Sequence, residues 1–265
     1  MTRILSLLVA AAAGLSAQDL PRVDLHVHIH DDEHPAQSMK PADAVALSQK
    51  MGVRFGILAE GGCRGEIHND QTLEEFLNSV EGLPVYRGLQ VYGFDWSNCL
   101  SKQNIGRLDY ISADALVFPD GNGKSIRLWL PGVKFDDPQD FMDRYVDFTV
   151  KILSQPIQIW ANPTYLPESL KAHYDALWTQ KRMQRVIQAA VQNHVAIEIN
   201  SHFQIPSAAF IRKAKAAGAK FSFGSNEHVH GIGNIAYPLA VARECGLTRS
   251  DIYVPARRSA LGIKK

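Results

Sequence analysis

The sequence predicts an α/β barrel, and three observations carry that expectation. Short apolar runs alternate with helical stretches about seven times, a pattern that requires a parallel sheet with helices outside it. Polar side chains gather just after the apolar runs, at His28, Glu60, Asn162, Asn200, Asn226 and His228. The C-terminal ends of the strands form the active face of such barrels. The length, 265 residues, suits one large domain of this class.

Residues 1–17 read as a signal peptide rather than as part of the fold. Arg3 supplies a positive start, and Ile4 to Ala13 is an apolar run too short to span a bilayer. Small residues before Gln18 place the cleavage after Ala17 or Ser16, with Leu15 an imperfect fit three positions before the bond. Residues 18–265 are then a single barrel domain, periplasmic or secreted. The formal net charge is +1 without a basic tract, which argues against nucleic acid or anionic membrane as partners and for a small-molecule substrate. Cys63, Cys99 and Cys245 fit no zinc-knuckle spacing; in an oxidising compartment one pair can bridge and leave a thiol free.

Taken in order, the elements begin with a strand at Val23–His30. An acidic loop, Asp31-Asp32-Glu33-His34-Pro35, follows it. A helix starting near Ser38 to Pro41 runs to Met51, with Gly52 as its stop. Arg54 to Ala59 is a strand ending in the Gly-rich turn that contains Cys63 and Arg64. Asp70 is the expected N-cap of a helix through Ser79. Strands are expected at Val85–Tyr92 and Tyr110–Val117, with long loops at 96–107 and 119–138. Asp140–Leu153, Asp175–Asn193, Ser207–Ala217 and Asn234–Cys245 read as helices. Ile157–Ala161, Ala196–Asn200 and Lys220–Gly224 read as strands.

The first strand is the unusual one. Strict alternation would place Asp24, His26, His28 and His30 on one face and Val23, Leu25, Val27 and Ile29 on the other. Imidazole is the commonest transition-metal ligand, and two of them at i, i+2 on a strand can grip one ion.

These residues give the chain a resemblance to the PHP family, the polymerase and histidinol phosphatase group of metal-dependent phosphoesterases. The resemblance rests on Val23-Asp24-Leu25-His26-Val27-His28, on the strand Ala196-Ile197-Glu198-Ile199-Asn200, and on Phe223-Gly224-Ser225-Asn226-Glu227-His228. It implies a distorted seven-stranded (β/α) barrel, TIM-like, with zinc or manganese at the strand C-termini and a metal-bound hydroxide attacking the phosphoester. His26, His28, His34 and His228 match family metal ligands.

Other positions depart from the family pattern. Ala59-Glu60-Gly61 stands where Thr-Asp-His is expected, leaving Glu60 as an oxygen donor and the candidate catalytic carboxylate. Gln90 replaces a bridging Glu, and Leu116 falls loosely where a His is expected. Asn162 replaces a His, and Asn226 an Asp. An amide cannot neutralise paired cations as a carboxylate does. The expected site is therefore reduced to one divalent ion on His26, His28 and either Glu60 or His228, since three protein ligands plus water suffice for a catalytic zinc. Gln90, Asn162, Asn226, His202 and His230 are further candidates for substrate contact or substitute ligation. Asp24 is expected to orient a strand-end His or loop, and Glu198 and Asn200 to find buried partners. The first functional reading is a secreted metal-dependent hydrolase, phosphoesterase-like. A non-catalytic barrel that binds a small ligand is the alternative, and an amidohydrolase-type enzyme the second alternative.

Overall fold

Each strand residue faces one side of its sheet or the other, and the side chains here sort accordingly. A computed structural model of the chain describes residues 20–30, 38–63, 65–228 and 230–256. Seven parallel strands form a nearly closed barrel in the order β1 (Val23–His28), β2 (Arg54–Gly61), β3 (Tyr86–Val91), β4 (Tyr110–Ala113), β7 (Ile159–Trp160), β8 (Ala196–Asn200) and β9 (Phe221–Gly224). Helices lie between them, so the expected TIM-like α/β barrel is what the chain forms.

On β2, Phe55, Ile57 and Ala59 pack outward into the core shared with the helices; so do Leu89 and Val91 of β3, Ile197 and Ile199 of β8, and Phe221 and Phe223 of β9. The alternate positions face the barrel interior. The N-terminal part of that interior is apolar, filled by Val23, Leu25, Leu58, Tyr86, Tyr110 and Ile159. Tyr110 crosses it and donates its hydroxyl to the Leu25 carbonyl at 2.8 Å. Gly56 and Gly88 leave the space its ring occupies, because a Cβ at either would collide with it. Toward the strand C-termini the inward residues turn polar.

The first strand departs from strict alternation. Its register against β2 advances from Asp24↔Phe55 to Val27↔Ile57, which inserts one extra residue. Val23 and Leu25 therefore join the interior cluster, while Val27 and Ile29 join the outer core. The cause is local. Asp24 Oδ1 accepts the His26 amide at 3.1 Å, a side-chain bond that competes with the ladder. The barrel closes through the chain beyond β9. Asn226 N donates to the His26 carbonyl at 2.9 Å and His28 N to the Glu227 carbonyl at 3.2 Å.

Several elements differ in extent from the expectation. The helix N-cap is Asn69, whose side chain accepts from Thr72 N, and Asp70 instead accepts the Ser101 amide. The fourth strand stops at Ala113. Part of the expected loop at 119–138 is an antiparallel hairpin of β5 (Val117–Pro119) and β6 (Ser125–Arg127). The 96–107 loop holds a short 3-10 turn at Trp96–Cys99 and the helical turn α3 (Lys102–Ile105). Tyr174–Leu177 (α5) and Gln180–Gln192 (α6) are separate helices, because Thr179 caps a new one. The other helices are α1 (Pro41–Met51), α2 (Asp70–Ser79), α4 (Pro138–Leu153), α7 (Ala208–Ala216) and α8 (Ala236–Glu244). Cys63 and Cys99 are joined in a disulfide, and Cys245 is a buried free thiol. Among the described residues no helix is long and apolar enough to cross a membrane. Residues 1–17, with the expected signal peptide, and His34 and Arg64 lie outside the described residues.

Candidate active site

Polar residues at the inward positions of strand ends must satisfy one another, because water is largely excluded. The two ends of the barrel seam begin this network. Asp24, fully buried, accepts from Ser225 N at 2.9 Å and Gly233 N at 3.0 Å as well as from His26 N. It fixes the backbone on both sides of the seam, as its expected orienting role requires.

His26 is 1% exposed. Its Nδ1 lies 2.6 Å from Glu198 Oε1, while its Nε2 has no hydrogen-bond partner among the described residues. Glu198 Oε2 accepts from Asn162 N at 2.7 Å and Asn200 Nδ2 at 3.0 Å. Gly224 leaves room for this pair, since a Cβ there would strike Glu198 Oε1 and approach His26 Cβ to 2.7 Å. Burial opposes charge on both partners, but their mutual attraction outweighs it. It raises the His26 pKa above the usual imidazole value and lowers that of Glu198 below the usual carboxylate range.

His28 stands edge-on to His26, with ring centroids 5.1 Å apart and planes at 63°. On its other side it stacks on His228, 4.6 Å between centroids and 13° between planes. Burial, then the charges of His26 and His228, hold its pKa well below the usual value, so it is neutral at physiological pH. His228 Nδ1 is 3.1 Å from the His30 carbonyl oxygen, which leaves its Nε2 for other contacts. Two nearly parallel stacked rings cannot both point a nitrogen in-plane at one ion about 2 Å away. His28 and His228 are thus neighbours that do not converge as placed. Among the described residues, no three His, Cys, Asp or Glu side chains cluster as a ready metal site.

The amides at the departures from the family pattern are knitted together. Gln90 Nε2 and Asn162 Nδ2 both donate to Asp114 Oδ2, at 3.0 and 2.9 Å. Asn200 Nδ2 and Asn226 Nδ2 both donate to Asn162 Oδ1, at 3.0 and 3.2 Å. Gln90 Oε1 faces His28 but makes no hydrogen bond of regular geometry. The inward hydroxyls of Ser112 and Ser222 are also without partners among the described residues. Asp114 carries a pKa raised by its burial, against the bonds it accepts.

Asp114 was not expected from the sequence. Strand β4 ends one residue before it, and it occupies the inward position that follows Ser112. Leu116, the position loosely matched to a family ligand, is buried in the apolar core instead. A lone Asp just past an apolar run was the available signal, in a stretch that reads as continuing strand.

Glu60 is half-buried at the end of β2 and engages the Tyr92 phenol, whose pKa is raised well above the usual value by burial and then by the Glu60 charge. His202 lies further out, its Nδ1 3.0 Å from Glu227 Oε1 and its ring edge-on to Phe203. His230 is exposed. The structure therefore brings His26, His28 and His228 together at one mouth and joins Gln90, Asn162 and Asn226 into one network below it. Among the described residues, four besides glycine hold left-handed backbone at this end of the barrel: Asn162 (φ 48), Thr164 (φ 63), Gln204 (φ 54) and Asn226 (φ 54). Such conformations concentrate at functional sites.

No protein-family model and no curated protein matches the chain. Among solved structures, a chain in the cryo-EM structure of archaeal ribonuclease P with mature tRNA is similar over 85% of this chain and 88% of its own. The identity is 13% and the TM-score 0.40. The structure of D-hydantoinase is similar over 77% of this chain and 46% of its own, at 14% identity and TM-score 0.38. Likenesses this distant leave the function to the chemistry of the mouth.

Proposed function

We propose that the chain is an exported hydrolase, a divergent relative of the PHP phosphoesterases, with one divalent ion held by His26 and His28. The observation that carries the reading is the His26 ring. Its Nδ1 is fixed on Glu198 while its buried Nε2 is left without a partner among the described residues. A carboxylate on one ring nitrogen and a cation on the other is the usual arrangement of a metal-binding histidine. Neutral His28 supplies a second imidazole at an angle to the first. Zinc or manganese at that position would supply a nucleophilic water near neutral pH.

The chain's own residues do the rest. Glu198 holds the His26 tautomer and orientation, and Asp24 fixes the backbone from which His26 projects. Glu60 and Tyr92 stand at the strand ends as the candidate proton-handling pair. The Cys63–Cys99 disulfide supports export, because such bonds persist in oxidising compartments.

A second reading is a ligand-binding barrel without turnover. It is favoured by the amides of Gln90, Asn162 and Asn226, which donate to Asp114 or to Asn162 without any cation. Elemental analysis of untagged protein separates the two readings. It is paired with a hydrolysis screen over phosphoesters, amides and lactones with added zinc or manganese. The hydrolase reading expects about one equivalent of metal, and activity abolished in His26→Ala/His28→Ala. Activity surviving that double replacement removes the metal mechanism. A metal-free, silent wild type favours the binding barrel.

A further inference from the structure

A cavity of about 290 Å³ opens beside the mouth, between the loops that follow β7 and β8. Tyr165, Tyr174 and Phe203 supply its aromatic walls, Ser207 one polar edge and Lys171 a cationic rim. None of the mouth imidazoles lines it. It is nonetheless built onto the same network, because Tyr165 N donates to the Asn162 carbonyl at 3.3 Å and Phe203 N to Asn200 Oδ1 at 2.9 Å. His202 stands edge-on to Phe203, with centroids 4.7 Å apart.

The walls are held firmly. Thr164 is β-branched and sits at φ 63, where such residues are rare. It is kept there by its hydroxyl, 2.6 Å from Tyr174 Oη, and by its carbonyl, which accepts Trp178 Nε1 at 2.9 Å. Ser207 N reaches Tyr174 Oη from the far side at 3.4 Å. Tyr165 and Phe203 already pack edge to face, 4.7 Å between centroids, and aromatic faces of this kind accept a further ring at similar spacing.

We propose that this cavity binds a small planar aromatic ring carrying one anionic group, as a substrate subsite of the mouth. The proposal rests on the reading of the mouth as a substrate site. The volume lies at the lower end for ligand pockets, about 300 Å³, and so suits a single ring. The anion preference comes from Lys171. Its ammonium pairs at 2.6 Å with Glu168, but the two side chains are 48% and 81% exposed. An ion pair that open is worth at most about 1 kcal/mol, so a ligand carboxylate can replace Glu168.

The test is calorimetric titration of chelator-treated full-length protein with three probes. Benzoate has the ring and the charge, benzamide the ring alone, and cyclohexanecarboxylate the charge alone. Benzoate is expected to saturate, with the other two bound several-fold more weakly. Lys171→Met, at an exposed position that folding tolerates, is expected to weaken benzoate by more than twofold and up to about fivefold, and to leave benzamide unchanged. Phe203→Leu is expected to weaken both aromatic probes. No saturable benzoate binding by folded wild type overturns the proposal. So does benzoate affinity within about twofold of wild type in Lys171→Met, on the same scale. His26→Ala is the control. If it retains benzoate binding while metal content and activity fall, the subsite stands apart from the metal. If wild type binds benzoate but holds no metal, the hydrolase reading alone has failed.

Discussion

Nδ1 of His26 lies 2.6 Å from Oε1 of Glu198, although 172 residues separate the two in the chain. Both are fully buried, and each holds the other in its charged form against the desolvation that disfavours charge on either. Removing one partner of a buried pair typically costs about 3–5 kcal/mol. Glu198→Gln is therefore expected to lower stability by roughly 3 kcal/mol in metal-free protein. The pH dependence follows from the two shifts. The depressed Glu198 value adds stability above the ordinary glutamate pKa of about 4.3, which is lost as pH falls through the folded value. The raised His26 value adds stability below the ordinary histidine pKa of about 6.5, which is lost as pH rises through the folded value. The wild-type advantage over Glu198→Gln should thus be greatest between those two pH values. Urea titrations across the range check this, and an advantage still growing above pH 8 would contradict the pairing.

Gly224 is the position that lets the pair form. Gly224→Ala should cost about 1–3 kcal/mol from overpacking, and more if the pair is expelled. Because the added methyl meets Glu198 and His26 directly, the His26 imidazole resonances should move in the NMR spectrum of the folded variant. Unchanged resonances and an unchanged melting temperature would argue against the packing described.

The stacked pair gives a sharper expectation. His28 faces His26, whereas His228 lies parallel to His28 and away from any shared ion. His28→Ala should abolish tight metal binding, while His228→Ala should weaken it far less. Equal losses in metal titrations would show that the His228 ring rotates to become a ligand.

Gln90 donates to Asp114. Gln90→Glu would remove that donor and set two carboxylates against each other, so the metal-free variant should be destabilised by about 2 kcal/mol or more. Zinc or manganese should restore stability beyond its effect on wild type, because an ion that binds only the folded state stabilises it. Thermal melts with and without metal measure both effects. Absence of any metal-dependent gain would speak against a decayed metal centre.

The barrel itself was legible in the sequence because period-two runs and helical stretches alternate so regularly. The presence of His26, His28 and His228 at one mouth was legible for the same reason, since strand ends of a barrel meet there, but the stacking of His28 on His228 was not. The extra residue in β1 was not. It arises from Asp24, which is pulled by amides more than 200 positions away at Ser225 and Gly233. Asp114 was hidden because Tyr110–Val117 reads as one strand. The chain breaks it at Ala113, and only Val117 goes on into a strand, β5 of the hairpin. Glu198 was expected to find a buried partner, but nothing local shows that the partner would be His26. The aromatic cavity could not be read at all, since Tyr165 and Tyr174 come from the segment after β7, Tyr174 at the start of α5, and Phe203 from the segment after β8.

The seam between β1 and the chain beyond β9 has a kinetic corollary. The Asp24 carboxylate finds its partners only once Gly233 has been synthesised, so a nascent chain must add 209 residues after Asp24 before the His26 environment exists. Contacts of such long sequence separation slow folding. A circular permutant that opens the chain at the exposed 121–124 turn of the β5–β6 hairpin, with a linker joining the old termini, would make the seam a local contact. It should reach the native state faster than the original order while keeping the same mouth.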